Sequence, residues 1–256
     1  MSSLRPELDP DGLLEYSVVF TDRSLNHMSA RFQQVMRDLD SLLRSAYHAQ
    51  ACALVPGGGS YAMEAVARQL ATNEHCLVLR NGLFSYRWTQ IFDAGQIPAS
   101  TTVLQARPLS EGPQAPYTPA PLDEVVATIE RERPAVVFAP HVETSAGMML
   151  PDDYLRAVAA ATHKVGGLFV LDAVASGCCF IDMVDVGVDV LISAPQKGWS
   201  APPSCGIVLL SAAGEQAVRA RRSTSFANDL GRWLEIMDAY LAGGHAYHAT
   251  LPTDAL

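Results

Sequence analysis

The sequence has no apolar run approaching the ~18 residues that a membrane-spanning helix needs. Its first residues, Met1-Ser2-Ser3-Leu4-Arg5-Pro6, lack the apolar segment of a secretory leader. Basic residues are scarce. The chain carries 18 Lys and Arg against 27 Asp and Glu, a formal charge of −9. Such a surface repels phosphate backbones, which argues against nucleic acid as a partner. Small anions remain possible ligands, because helix starts hold them locally. No Cys-x-x-Cys pair occurs. The odd set Cys52, Cys76, Cys178, Cys179 and Cys205 points to a reducing compartment and reads as small buried hydrophobes. No Gly-Lys-Ser or Gly-Lys-Thr is present, which excludes a Walker A loop. These absences lead to the expectation of a soluble cytoplasmic protein with no membrane or nucleic-acid partner.

What is present is a strongly apolar chain. It has 256 residues and is 49% hydrophobic, enough to bury the core of one large domain. The spacing of Phe32, Val35, Met36, Leu39, Leu42, Leu43 and Ala46 predicts an amphipathic helix over 31–47. Short apolar runs then alternate with helical segments. Strands are expected at 51–55, 76–80, 101–105, 135–139, 167–172, 189–193 and 206–210. Segments 121–133 and 151–164 open with acids and close with bases, as the helix dipole favours. A further amphipathic helix is expected over 230–241. Pro108, Pro113, Pro116 and Pro119 mark 106–120 as a surface connection. Alternating strands and helices imply an α/β fold, three-layer α/β/α, with a mostly parallel seven-stranded sheet.

In such sheets ligands bind beyond the carboxyl ends of the strands. Three features stand at those ends. Pro56-Gly57-Gly58-Gly59-Ser60 opens a helix, where close backbone approach and free N–H groups suit an anion. Asp172 ends the run Gly167-Leu168-Phe169-Val170-Leu171. Lys197 follows Val190-Leu191-Ile192 through Ala194-Pro195-Gln196, a setting expected to desolvate the amine partly. A lysine, an acid and a phosphate cradle are what pyridoxal phosphate requires. Each has a plainer reading: a tight turn, a cap, a solvated surface lysine. His141, Glu143 and Thr144 also follow a strand end. Gly57-x-Gly59-x-x-Ala62 fits the dinucleotide fingerprint, but Arg80-Asn81 stands where an acid belongs, which leaves an NADP reading open. His245-x-x-His248 has no third partner at convincing spacing, so no metal site is expected. Pro252-Thr253-Asp254 has the form of a helix opening.

From about residue 15 onward the chain resembles the class V pyridoxal-phosphate aminotransferases of fold-type I. The branch it looks most like contains the alanine–glyoxylate, serine–pyruvate and 2-aminoethylphosphonate–pyruvate enzymes. The motifs are Phe138-Ala139-Pro140-His141-Val142-Glu143-Thr144-Ser145-Ala146-Gly147, Leu171-Asp172-Ala173-Val174-Ala175-Ser176 and Ala194-Pro195-Gln196-Lys197, in family order. The resemblance implies transamination between a small amino acid (alanine- or serine-like, or an aminophosphonate) and glyoxylate or pyruvate, through a Schiff base at Lys197. It implies that Asp172 pairs with the ring nitrogen, and that Val174 and Phe84 cover the two ring faces. Gly58, Gly59, Ser60 and Gln196 match the phosphate cradle, and Thr144 a hydroxyl near the ring oxygen. Tyr247 and Thr250 match residues that reach the neighbouring subunit's phosphate, which implies a homodimer with shared active sites.

The glycine turn replaces a commoner Ser-Gly-Ser-Gly and so lacks a side-chain donor. The family pattern divides the chain into an N-terminal arm (1–30), a large cofactor-binding domain (31–242) and the start of a connection (243–256). The last leads in relatives to a C-terminal domain carrying the arginine that clamps the substrate carboxylate. The alternatives are a lyase on the same fold and a truncated, inactive cofactor-binding fragment.

Overall fold

A computed structural model describes residues 25–256; most of the expected N-terminal arm lies outside the described residues. Helix α1 (Ala30–Tyr47) leads into β1 (Ala51–Pro56), α2 (Gly59–Leu70), β2 (His75–Arg80), α3 (Leu83–Gly95) and β3 (Ser100–Gln105). Next come the short strands β4 (Arg107–Pro108) and β5 (Tyr117–Thr118), which pair within the proline-rich connection. Helix α4 (Leu122–Glu132) precedes β6 (Val136–Pro140) and a small ribbon of β7 (Val142–Glu143) and β8 (Met148–Met149). The chain continues through α5 (Asp152–Lys164), β9 (Leu168–Asp172), α6 (Met183–Val186), β10 (Val190–Ser193) and β11 (Cys205–Leu210). It closes with α7 (Ala212–Ala220) and α8 (Leu230–Leu241).

The main sheet has seven strands in the order β1-β11-β10-β9-β6-β2-β3. β11 is antiparallel to both of its neighbours, and every other pairing is parallel. β1 therefore runs the same way as β10, and the carboxyl ends of all six parallel strands share one edge. The expected mostly parallel α/β architecture is what forms. Each expected strand lies within a residue or so of an observed one.

The sequence explains the layering. β6, β10 and β11 are buried along their whole length, so their apolar runs need cover on both faces. Helices α2, α3 and α5 supply it, packing on β10–β11, β2–β6 and β9. Trp88 of α3 lies 4.4 Å, centroid to centroid, from Phe138 of β6, and Phe92 meets the same ring edge-on at 5.3 Å. Each such fully buried side chain contributes about 1.5–3 kcal/mol. β3, at the sheet edge, keeps its side chains half-exposed.

Two close approaches set where the glycine turn sits. Gly57 has φ +118°, a left-handed backbone, and the Tyr61 ring lies 2.5 Å from where a Cβ would stand. A Cβ on Gly206 of β11 would meet Ala62 Cβ at 2.4 Å and Gly58 O at 2.8 Å, so α2's first turn rests directly on that strand.

Two expectations need correcting. Cys52, Cys76 and Cys205 are buried, but Cys178 and Cys179 are exposed, because they lie on a turn beyond β9 rather than in the sheet. Pro252-Thr253-Asp254 opens no helix. It forms a turn in which Asp254 Oδ1 accepts from the Leu25 N–H at 2.6 Å and Thr253 Oγ1 donates to the Leu25 carbonyl at 2.6 Å. The capping potential of these side chains is satisfied by that contact instead. No helix among the described residues is long and apolar enough to cross a membrane.

Candidate active site

The shared carboxyl edge gathers the expected residues. Gly59, Ser60, Phe84, Thr144, Asp172, Val174, Gln196 and Lys197 line one cleft, together with Met63, Arg87, Val142 and Ala175. Gly59 and Asp172 form its buried floor; Ser60, Thr144, Gln196 and Lys197 form its exposed rim. The amine of Lys197 is thus more open than its sequence context suggests, because the strand before it ends at Ser193 and the turn lifts it out of the sheet.

Asp172 ends β9 opposite Ile192 of β10 and Pro140 of β6. Its Oδ1 accepts the Val174 N–H at 3.0 Å, and no cationic side chain pairs with it among the described residues. Burial pushes its carboxyl up to about 6, against the pull of that N–H and of the Arg87 charge. A buried acid with one hydrogen bond and no counter-ion is suited to a cationic ligand atom.

The cradle side is built from backbone. α2 begins at Gly59 with Gly58 as its cap, and no side chain caps it, so its first N–H groups are free. The Gln196 amide nitrogen lies 3.9 Å from where a Gly58 Cβ would be. Val174 Cγ2 lies 2.9 Å from the corresponding point on Gly59, so any side chain there would drive α2 from the Asp172 turn. A second glycine contact closes the floor: a Cβ on Gly198 would stand 2.2 Å from the Gly177 carbonyl oxygen. The Lys197 loop and the turn after Asp172 therefore touch backbone to backbone.

Glu143 holds the far wall. Fully buried, it accepts from the Phe84 N–H (3.2 Å), the Ser85 N–H (2.9 Å) and hydroxyl (2.7 Å), and the Ser145 hydroxyl (2.6 Å). It thereby caps α3 and fixes Phe84 relative to Thr144. Burial raises its pKa, but these donors outweigh burial and hold it below the ordinary carboxylate value. Glu143→Ala is expected to cost about 3 kcal/mol, read as a lowered urea midpoint, because buried donors lose their acceptor. The depressed pKa means Glu143 stabilises above its unfolded pKa, and that contribution is lost as pH falls through the folded value. Glu143→Gln should therefore show a flatter acid branch than the wild type.

His141, buried next to the floor, shares a 2.7 Å hydrogen bond with Ser176 Oγ, and burial lowers its pKa. Arg80 bonds Thr89 Oγ1 at 2.7 Å and lies over the Tyr86 ring, away from the cleft, which removes the support for an NADP reading. His248 Nε2 meets the Phe226 carbonyl at 2.7 Å, while His245 packs edge-on against His27. Tyr247 and Thr250 do not join the cleft. They border a separate hollow with Leu25, His27 and Tyr240.

Sequence reasoning missed Arg87. It lies one turn beyond Phe84 on α3, a spacing that puts both on one helix face. It likewise did not foresee Glu143 as the α3 cap.

The family model for class-V aminotransferases matches residues 13–227. The chain belongs to the class-V aminotransferases. Members of this family depend on pyridoxal phosphate. Rabbit (Oryctolagus cuniculus) alanine–glyoxylate aminotransferase is 29% identical over 79% of this chain and 50% of its own length. Alanine–glyoxylate aminotransferase 1 of Saccharomyces cerevisiae is 28% identical over 91% of this chain and 62% of its own. A solved alanine–glyoxylate aminotransferase from Nostoc superposes with a TM-score of 0.75 at 25% identity, over 91% of this chain and 59% of that one. The chain thus spans between half and two thirds of the relatives' length. The class-V cleft meets the needs of the family's cofactor: an unpaired buried acid, a helix start with free donors, an apolar side chain at Val174 and an accessible amine.

Proposed function

We propose that this chain is the cofactor-holding part of an aminotransferase that moves an amino group from a small amino acid to a 2-oxo acid such as glyoxylate or pyruvate. The reading rests on the convergence of Lys197, buried Asp172 and the α2 start on one cleft. The alanine–glyoxylate names of its relatives support the substrate class.

Pyridoxal phosphate supplies an electron sink that makes the substrate's α-proton removable. Asp172 would keep a proton on the ring nitrogen. At ~4 Å and an effective dielectric near 20, such a pair is worth about 4 kcal/mol before desolvation. Lys197 Nζ would anchor the aldehyde carbon and, once displaced by substrate, carry the proton taken from the α-carbon. Val174 and Phe84 would bound the ring faces and exclude water. Gly58, Gly59, Ser60 and Gln196 would take the phosphate, and Thr144 the ring oxygen.

Tyr247 is exposed and stands outside the cleft, which favours its reaching with Thr250 into a second copy's site. A homodimer with shared sites follows from that reading. Residues 31–242 would form the cofactor domain and 243–256 a connection, in line with α8 ending at Leu241.

The test is an absorbance titration with pyridoxal phosphate, then borohydride reduction and peptide mapping. The reduced cofactor is expected on Lys197. A label on another lysine, or none, overturns the assignment.

A further inference from the structure

Arg87 is the charge in the cleft that the proposed reaction leaves without a task. Its Nη1 donates to Ser60 Oγ at 3.0 Å, and its guanidinium carbon stands 5.7 Å from the centroid of the Phe84 ring. No carboxylate pairs with it among the described residues. It is half-buried and lines the cleft beside Gly59 and Ser60.

The local chemistry leaves a gap of the right sign. A phosphate ester brings close to two negative charges. The start of a helix offers the equivalent of about half a positive charge. Gly58 and Gly59 add backbone donors but no side chain, the Gly57 N–H being given to the Ser204 carbonyl at 3.1 Å, and Gln196 adds a neutral amide. Lys197 is assigned to the aldehyde end. Ser60, hydrogen-bonded to Arg87, is itself a cradle residue at the start of α2. A guanidinium also presents a planar fork that matches two phosphate oxygens, which an ammonium does not.

We propose that Arg87 is a phosphate ligand of the cofactor, completing with Ser60 and the α2 N–H groups a cradle to which, among the described residues lining the cleft, no side-chain cation but Lys197 is otherwise near. The inference rests on the proposed cofactor reading and concerns only the phosphate end. A guanidinium at that end sets the preference for a phosphorylated pyridoxal over the free one.

The experiment compares dissociation constants for pyridoxal phosphate and for pyridoxal, which lacks the phosphate, in the wild type, Arg87→Gln and Arg87→Lys. Melting shifts with inorganic phosphate alone are measured alongside. Arg87→Gln is expected to weaken pyridoxal phosphate by about tenfold to a hundredfold, the size of a charge-assisted hydrogen bond, and to leave pyridoxal within about twofold. Arg87→Lys should recover part of the loss. Inorganic phosphate should raise the wild-type melting temperature more than that of Arg87→Gln.

Equal losses for both ligands would overturn the proposal, assigning Arg87 to the ring end through Asp172. Unchanged cofactor affinity with a raised KM for the amino acid would overturn it in favour of a substrate-carboxylate role. A wild type that captures no pyridoxal phosphate would instead overturn the cofactor reading itself. Ligand-free melting of Arg87→Gln within about 2 °C of the wild type is expected, because the side chain is half-exposed and among the described residues forms one side-chain hydrogen bond, to Ser60.

Discussion

Lys197→Ala is expected to abolish borohydride-fixed capture of pyridoxal phosphate and to lower amino transfer by about 10³- to 10⁴-fold or more. That is the combined loss of a covalent anchor and a proton carrier. Reversible binding should survive, because Asp172, the α2 start and Arg87 are untouched. Folding should be nearly unaffected. The Lys197 side chain is exposed and forms no salt bridge among the described residues, and such substitutions fall within about 0.5 kcal/mol. Absorbance titration, reduction with peptide mapping and a melting curve separate these effects. Residual covalent label in the variant would mean that another amine serves the aldehyde.

The second large effect belongs to Asp172. With the carboxyl replaced by an amide in Asp172→Asn, the ring nitrogen loses its counter-charge. Amino transfer should fall by about 10²- to 10³-fold, as expected when an interaction of roughly 4 kcal/mol is largely lost. Stability of the ligand-free protein should move the other way. The folded carboxyl binds its proton more tightly than the unfolded one, with a pKa raised to about 6 by burial. Its contribution favours folding most below the unfolded pKa near ~4 and is lost as pH rises through about 6, a swing on the order of 3 kcal/mol. At neutral pH, ligand-free Asp172→Asn is therefore expected to be the more stable protein. Urea unfolding of both at pH 4, 5, 6 and 7 measures the swing as their difference. A difference that does not change with pH would show that the buried carboxyl is not the group titrating.

Both effects arise where the sequence was most readable. β6, β9 and β10 are covered on both faces, so their residues are continuous apolar runs whose ends stand out, and Asp172 and Lys197 mark those ends. The glycine turn was readable because three consecutive glycines leave the backbone open. What the sequence hid depends on contacts between distant segments. Glu143 caps a helix 58 positions earlier. Arg87 meets Ser60 only because α3 packs against α2. The antiparallel course of β11 was equally hidden, since a fully buried strand shows the same run in either direction. Lys197 was expected to be partly desolvated, but apolar neighbours in the chain say little about a side chain that a turn carries past the sheet edge. The exposed pair Cys178 and Cys179 follows the same logic: a short apolar stretch reads as interior until a turn places it outside.

The peptide-to-peptide contact between Gly177 and Gly198 has a consequence for anyone moving this chemistry elsewhere. It acts as a fixed gauge, setting how far the main chain of the lysine loop stands from the turn after the acid. Even one methyl group at position 198 would widen that gauge. A scaffold designed to host the lysine and the aspartate must also reproduce a residue without a side chain at 198 and a left-handed turn at 177.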